Sequence, residues 1–128
     1  WALVTGASSG IGKSLAKELA EQGLNVVLVS LKETILDETF EELKKQHPER
    51  EFRKIGVNLG LRDGSYLREI EEKTKDIDVQ VVFNNIEKVI LEHLTDCECQ
   101  HVAILGPYFS NLKILKECAK TESCQGLG

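Results

Sequence analysis

The sequence predicts an α/β protein built on a mostly parallel sheet. Short apolar segments alternate with amphipathic helical segments in the order βαβαβαβ, and turns rich in glycine or polar residues separate them. Strands joined through helices run parallel, with right-handed crossovers and helices on both faces of the sheet. The composition agrees, since 41% hydrophobic and 29% charged residues are typical of a soluble globular domain.

A glycine-rich turn and a helix separate the first two predicted strands. Residues 2–5 form a short apolar run, and apolar side chains recur at helical spacing over residues 11–20. Gly23 followed by the apolar Leu24 is the pattern of a helix that ends in a left-handed glycine. The continuous apolar run over residues 25–30 predicts a strand that is buried on both faces.

Two further helix–strand pairs follow along the chain. Residues 33–46 carry apolar side chains at helical spacing among charges, which predicts an amphipathic helix that ends at His47–Pro48. We expect a third strand over residues 52–57, a short helix over residues 66–75 and a fourth strand over residues 77–83.

The pattern weakens after Asn85. Residues 89–94 and 101–120 are compatible with helix, although Gly106–Pro107 interrupts the second segment, and no fifth strand is evident. We therefore expect about four strands and a C-terminal segment that is irregular or helical. Because the chain contains no linker or repeat, we expect a single domain over residues 1–128.

Charge and composition exclude several classes of function. A net charge of −5 is the wrong sign for a nucleic-acid surface, so nucleic acid is not expected as a partner. No apolar run reaches the roughly 18 residues of a membrane span, and four cysteines are too few for a disulfide scaffold, so we expect a soluble chain in a reducing compartment. Since Trp1 comes first and methionine is absent, we expect a processed chain or an excerpt.

The strongest chemical signal is the turn after the first strand. Its sequence is Thr5-Gly6-Ala7-Ser8-Ser9-Gly10-Ile11-Gly12. Such glycine spacing between a strand and a helix suits the binding of a pyrophosphate. Glycines let the backbone approach the anion closely, and the amides and the positive dipole end of the helix N-terminus face it. Gly6 would permit the turn, Gly10 the approach of the ligand and Gly12 the packing of helix on strand, while Ser8 and Ser9 add hydroxyl groups. The alternative is a tight turn without a ligand.

These residues resemble the short-chain dehydrogenases/reductases. The cofactor motif of that family, T-G-x-x-x-G-I-G, matches residues 5–12, and its N-N-A-G motif is matched in part by Asn84-Asn85-Ile86-Glu87. Residues 1–6, 10–13 and 23–30 are similar to the branch that contains very-long-chain 3-oxoacyl-CoA reductases and 17β-hydroxysteroid dehydrogenases. The resemblance covers residues 1–85 and is thin afterwards.

The resemblance implies a Rossmann-like, doubly wound sheet, of which this chain would hold the N-terminal part. It also implies a nicotinamide cofactor, hydride transfer to the ketone of a 3-oxoacyl-CoA or a steroid, and a membrane of the endoplasmic reticulum. The substrate itself is not predicted, because its contacts come from later parts of such folds.

The end of the second strand bears on the choice between NAD and NADP. An acidic residue there would bind the ribose 2′-hydroxyl of NAD, whereas a cation accepts the 2′-phosphate of NADP. This chain has Ser30-Leu31-Lys32, with Leu31 where the branch usually carries arginine, so NADP(H) is favoured over NAD(H). The alternative for Lys32 is an ordinary solvated lysine. Where this chain has Asn58, the family often has Asp, which contacts the adenine amino group. The amide oxygen of Asn58 could still accept a hydrogen bond from that group.

The predicted cofactor-binding residues are Gly6, Ser8, Ser9, Gly10, Ile11, Gly12, Ser30, Lys32, Asn58 and Asn85. No metal site is predicted. His93, Cys97, Cys99 and His101 are ligand types that suit zinc, but their spacing is not one of the usual structural-zinc patterns.

No catalytic residue is predicted in this chain. The family uses a Tyr as general acid, with a Lys four residues later. Neither tyrosine of this chain has that lysine, since the residue four positions after Tyr66 is Ile70 and the one four positions after Tyr108 is Leu112. We expect the family's Ser and Tyr to lie beyond this chain, and Glu87 replaces the final glycine of N-N-A-G.

Three hypotheses stay open at this point. The chain is part of an active reductase, a degenerate relative that only binds the nucleotide, or an interaction module. In the third case the uncovered edge of the fourth strand would recruit a partner or a second copy of the chain.

Overall fold

The computed structural model describes residues 1–31, 33–61 and 63–85 in full, and the backbone of residues 100–104. The strands are β1 (Ala2–Thr5), β2 (Val26–Ser30), β3 (Phe52–Gly56), β4 (Val81–Asn85) and β5 (Gln100–Ile104). The helices are α1 (Gly10–Glu21), α2 (Thr34–Gln46) and α3 (Ser65–Thr74). Within these ranges, no helix is long and apolar enough to cross a membrane.

The five strands form one sheet in the order β3-β2-β1-β4-β5. The first four strands are parallel, and β1 lies between β2 and β4, with Val4 opposite both Leu28 and Phe83. Every residue of β1 and β2 is buried, as their continuous apolar runs predict. The α/β class and the four parallel strands are therefore confirmed.

Helices cover both faces of the sheet, because successive side chains of a strand point to opposite sides. On one face, α1 and α2 pack on the sheet in a core that includes Ala2, Val4, Ala16, Leu19, Leu28, Leu36 and Leu43. On the other face, α3 packs on a core that includes Leu3, Val27, Val29, Ile55, Ile70 and Val82. A sheet covered by helices on both faces is typical of a doubly wound fold.

The end of α1 confirms the predicted glycine cap. Gly23 has φ +94°, and its N–H bonds to the carbonyl of Ala20 at 3.0 Å. The Leu24 N–H bonds to the carbonyl of Leu19 at 3.0 Å, which completes a Schellman motif. Leu24 also packs against the core below α1 and α2, so the chain enters β2 directly after this cap.

The fourth strand begins later than the sequence predicts. We expected it over residues 77–83, but β4 spans Val81–Asn85. The reason is the register, since β1 begins at Ala2 and Ala2 lies opposite Val81. The shift adds Asn84 and Asn85 to the strand, where the backbone fixes both side chains.

The segment after β4 contains an unpredicted strand, β5. The helix considered for residues 101–120 is wrong for residues 101–104, which lie antiparallel to β4, with Val81 opposite Ile104. An exposed strand edge carries unpaired N–H and C=O groups, and this pairing satisfies them. The expectation that the far edge of β4 is uncovered is therefore wrong. The predictions for residues 86–99 and 105–128 lie outside the described residues.

Candidate cofactor-binding site

The glycine turn lies at the carboxyl end of β1, the central parallel strand. Gly6 has φ +63°, and a Cβ placed on it would lie 2.1 Å from the Asn85 carbonyl oxygen. A Cβ on Gly12 would lie 2.1 Å from the Gly6 oxygen and 2.9 Å from Asn85 Nδ2. The contacts between α1, the turn and β4 thus require glycine at both positions.

Gly10 differs from these two glycines because it faces open space. It has φ +54°, and no described atom lies within 4 Å of a Cβ built there. The next side chain, Ile11, is 61% exposed. The turn therefore has a packed side toward β4 and an open side where a ligand could approach the backbone.

The first amides of α1, which have no acceptor within the helix, lie at this open side. The N-cap is Ser9, which is extended, and its side chain makes no capping bond with the described residues. The first helical bond runs from the Lys13 N–H to the Ser9 carbonyl at 3.2 Å, so the N–H groups of Gly10, Ile11 and Gly12 have no acceptor within the helix. The first turn has no acidic side chain, so the positive end of the helix dipole is not compensated there.

Thr5 ties the turn to the end of β4. Its hydroxyl donates to Asn84 Oδ1 at 2.8 Å and accepts from the Asn85 N–H at 2.9 Å. Thr5 is fully buried, and Asn84 is 7% exposed. These two bonds fix Asn85 against the glycines. Thr5 and Asn84 belong to the sequence motifs, but neither is among the residues predicted to bind the cofactor.

A second set of hydrogen bonds joins the turn to β2 and α2. The Ser8 and Ser30 hydroxyl oxygens lie 2.8 Å apart, so the turn touches the end of β2. The hydroxyl of Thr39, in α2, donates to the Ser8 carbonyl at 2.8 Å. Thr39 is not among the predicted site residues, although its position three residues after Leu36 and four before Leu43 places it on the inward face of α2.

A protein-family model described as short chain dehydrogenase matches residues 1–98. This chain belongs to that family. It is 38% identical over 88 residues to the very-long-chain 3-oxoacyl-CoA reductase of Aspergillus terreus. That match covers 69% of this chain and 25% of the relative, so the chain spans about a quarter of the relative's length.

Two solved structures are similar to this short-chain dehydrogenase chain. The bulky-bulky ketone specific alcohol dehydrogenase of Comamonas testosteroni is 29% identical with a TM-score of 0.54, over 63% of this chain and 33% of that one. The short-chain dehydrogenase of Sphingobium yanoikuyae, in complex with NADPH, is 26% identical with a TM-score of 0.59, over 69% of this chain and 34% of that one.

Most of the residues predicted for the cofactor site lie together at the carboxyl ends of the parallel strands. Gly6, Gly12 and Asn85 contact one another, and Ser8 contacts Ser30. Asn58 follows β3 at the same end of the sheet, where its Oδ1 accepts the Gly60 N–H at 3.0 Å. A carboxamide oxygen has two lone pairs, so this bond leaves Asn58 able to accept a second donor.

Several other predictions concern residues outside the described ranges. They include the roles of Lys32 and Glu87 and the side chains of the four His and Cys residues considered for zinc. Among the described residues, no group of three or more His, Cys, Asp or Glu side chains could hold a metal ion.

A lysine near the turn is paired with a glutamate of α2. The Lys13 ammonium, one turn into α1, lies 2.6 Å from Glu42 Oε2. This hydrogen bond lowers the pKa of Glu42 below its usual value. Lys13 therefore links the two helices on this face of the sheet and is not a free cation at the open side of the turn.

Proposed function

We propose that this chain is the NADP(H)-binding part of a short-chain reductase. The observation that carries the proposal is the open side of the glycine turn. There the N–H groups of Gly10, Ile11 and Gly12 have no helical acceptor, and no side chain among the described residues covers Gly10. Three amides at a helix N-terminus, with close access to the backbone, form the binding site that a pyrophosphate requires.

The residues present fit this cofactor. Gly6, Ser8, Ser9, Gly10, Ile11 and Gly12 would hold the pyrophosphate side, Ser30 and Lys32 the adenosine ribose, Asn58 the adenine and Asn85 the ribose beside the nicotinamide. Ser8 and Ser30 already share a hydroxyl contact at the end of β2, and the hydroxyl pair offers both donors and acceptors to a ribose or its phosphate.

NADP(H) is favoured over NAD(H) by the residues after β2. No carboxylate occurs in Ser30-Leu31-Lys32, so nothing in this segment would repel a 2′-phosphate or select a free 2′-hydroxyl. The Sphingobium yanoikuyae relative, whose structure holds NADPH, supports the same choice.

The reaction of the longer protein would be reduction of a ketone, with a 3-oxoacyl-CoA as substrate. The name of the Aspergillus terreus relative supports this substrate class. When bound, NADPH supplies the hydride, and this chain's residues bind and orient it. The branch also suggests a steroid as an alternative substrate and the endoplasmic reticulum membrane as the location, and both stay predictions.

We infer that residues 1–128 belong to a single domain and do not catalyse the reaction alone. The general acid of the family is a Tyr with a Lys four residues later, and neither Tyr66 nor Tyr108 has one. The second candidate function is nucleotide binding without catalysis in a degenerate relative. The replacement of the N-N-A-G glycine by Glu87 favours that candidate.

Calorimetric titration of the chain with NADPH and NADH tests the binding proposal. We expect NADPH to bind more tightly than NADH, by about tenfold or more for one well-placed phosphate contact. Gly10→Ala should weaken NADPH binding at least tenfold, because the new methyl group covers the open side of the turn. Absence of binding heat at millimolar NADPH would refute the proposal.

Gly23→Ala is the matched control for Gly10→Ala. Both glycines have positive φ at opposite ends of α1, and both have room for a Cβ, so the two variants should lose similar stability, about 1–2 kcal/mol. Only Gly10→Ala should lose NADPH affinity. Equal losses in both variants would assign the effect to folding. A separate assay of NADPH oxidation with a 3-oxoacyl-CoA should give no turnover, and turnover would contradict the inferred lack of catalysis.

A further inference from the structure

We propose that Thr39 is a positioning residue for the glycine turn. It would hold the peptide between Ser8 and Ser9 in the orientation that presents the Ser9 N–H to the cofactor. This inference rests on the proposed NADP(H) function, and it concerns a side chain in α2 that belongs to neither sequence motif of the family.

The contact is a partly buried tertiary hydrogen bond between a buried hydroxyl and a half-buried residue of the turn. Thr39 is 2% exposed and lies between Leu36 and Leu43 on the inward face of α2. Its hydroxyl donates to the Ser8 carbonyl, 31 positions earlier in the chain, at 2.8 Å. A threonine inside a helix commonly bonds a carbonyl of its own helix, as Thr74 does with Ile70 at 2.7 Å in α3. Thr39 instead reaches out of its helix to the turn.

The direction of this bond determines where the next amide points. In a planar trans peptide, the C=O and the N–H point in opposite directions. Because Thr39 draws the Ser8 carbonyl toward α2, the Ser9 N–H points away from α2. Ser9 is exposed and is the N-cap of α1, directly before the open position at Gly10. The Thr39 bond thus adds a fourth outward amide to those of Gly10, Ile11 and Gly12.

The same bond constrains the Ser8 side chain. Ser8 is held at its carbonyl by Thr39 and at its hydroxyl by Ser30, 2.8 Å away. Without the Thr39 hydroxyl, the Ser8 carbonyl would lose its donor. It would turn toward water, since a partly buried carbonyl without a hydrogen-bond partner is costly. The turned peptide would present a carbonyl oxygen, in place of an N–H, to the anionic cofactor.

The test compares Thr39→Val, Thr39→Ser and Thr74→Val in the full chain. Valine keeps the shape of threonine and removes the hydroxyl, whereas serine keeps the hydroxyl. We expect Thr39→Val to weaken NADPH binding about tenfold to a hundredfold, in proportion to the loss of one hydrogen bond to a charged group. Thr39→Ser should stay within about threefold of the wild type. Thr74→Val loses a comparable threonine–carbonyl bond on the other face of the sheet and should bind NADPH normally.

A second measurement needs no ligand and keeps the inference separate from the proposed function. In ¹H–¹⁵N spectra of the free chain, Thr39→Val should shift or broaden the Ser9 and Gly10 amide resonances. Thr39→Ser should restore them, and Thr74→Val should leave them in place. If the wild-type chain does not bind NADPH, the proposed function fails, and these spectra still decide whether Thr39 positions the turn.

Three results would overturn the inference. They are unchanged Ser9 and Gly10 resonances in Thr39→Val, an affinity of Thr39→Val for NADPH equal to that of the wild type, and equal affinity losses in Thr39→Val and Thr74→Val. The last result would show that Thr39 affects NADPH binding only through the overall stability of the fold.

Discussion

Replacement of Gly12 by alanine should destabilise the fold, although alanine is the better helix former. The added Cβ would lie 2.1 Å from the Gly6 carbonyl oxygen, about 1.3 Å inside ordinary van der Waals contact. Gly6 cannot yield easily, because its own α-carbon faces the Asn85 carbonyl. Helix α1 would have to move away from β1, where Ala16 and Val4 are fully buried.

The size of the effect follows from two opposing contributions. Overpacking costs typically about 1–3 kcal/mol, and a clash with rigid backbone belongs at the upper end, near about 3 kcal/mol. Replacing glycine by alanine inside a helix gains roughly 0.5–1 kcal/mol. We therefore expect Gly12→Ala to lower the free energy of unfolding by about 2 kcal/mol. With a urea dependence of about 2 kcal/mol per molar, the unfolding midpoint should fall by about 1 M.

Urea denaturation followed by far-ultraviolet circular dichroism measures this change. Ser14→Ala is the control, since Ser14 is exposed on α1 two residues further along, and its midpoint should stay close to that of the wild type. A Gly12→Ala midpoint equal to or above the wild-type value would refute the packing argument. The glycine would then owe its place in the turn to the ligand alone.

Two further predictions concern hydrogen bonds away from the open side of the turn. Thr5→Val should lower the free energy of unfolding by about 2 kcal/mol, because the buried Asn84 oxygen and the Asn85 N–H both lose a partner. Urea denaturation measures this change, and Thr5→Ser, which keeps the hydroxyl, should retain most of the stability. An unchanged urea midpoint in Thr5→Val would contradict the prediction. The Arg53 guanidinium lowers the pKa of Asp76 from 3.8 to about 2, so the stability from this pair is present above about pH 4 and is lost as the pH falls toward 2. Asp76→Asn should therefore be less stable than the wild type at neutral pH. The difference in urea midpoint between the two proteins should narrow as the pH falls below about 4. A difference that does not change with pH would contradict a stabilising role of the Arg53–Asp76 pair.

The elements that could be predicted are those whose signals are local. The run of apolar residues in β2, the helical spacing in α1 and the pair Gly23–Leu24 each lie within one short segment, so the sequence alone indicates them. The glycine turn is also contiguous, which is why its role in packing could be predicted for Gly6 and Gly12.

The features that escaped prediction depend on partners elsewhere in the chain. The first residue of β4 is set by the first residue of β1, because Val81 needs Ala2 beside it. Strand β5 forms against the edge of β4, and its five residues carry no pattern that separates them from a helix. Thr39 has the polarity of a surface residue, and its inward bond to Ser8 depends on how α2 packs against the turn.

The position of β1 has a consequence for the order of assembly. Thr5 is near the start of the chain, yet its hydroxyl bonds to Asn84 and Asn85, up to 80 positions later. Contacts of such long range form late, because a large loop must close first. As the chain leaves the ribosome, the glycine turn can meet its neighbours from β2 and α2 first, but its contact with Asn85 must wait for the fourth strand. Tight nucleotide binding should therefore begin only after Asn85 has been synthesised and has joined the sheet.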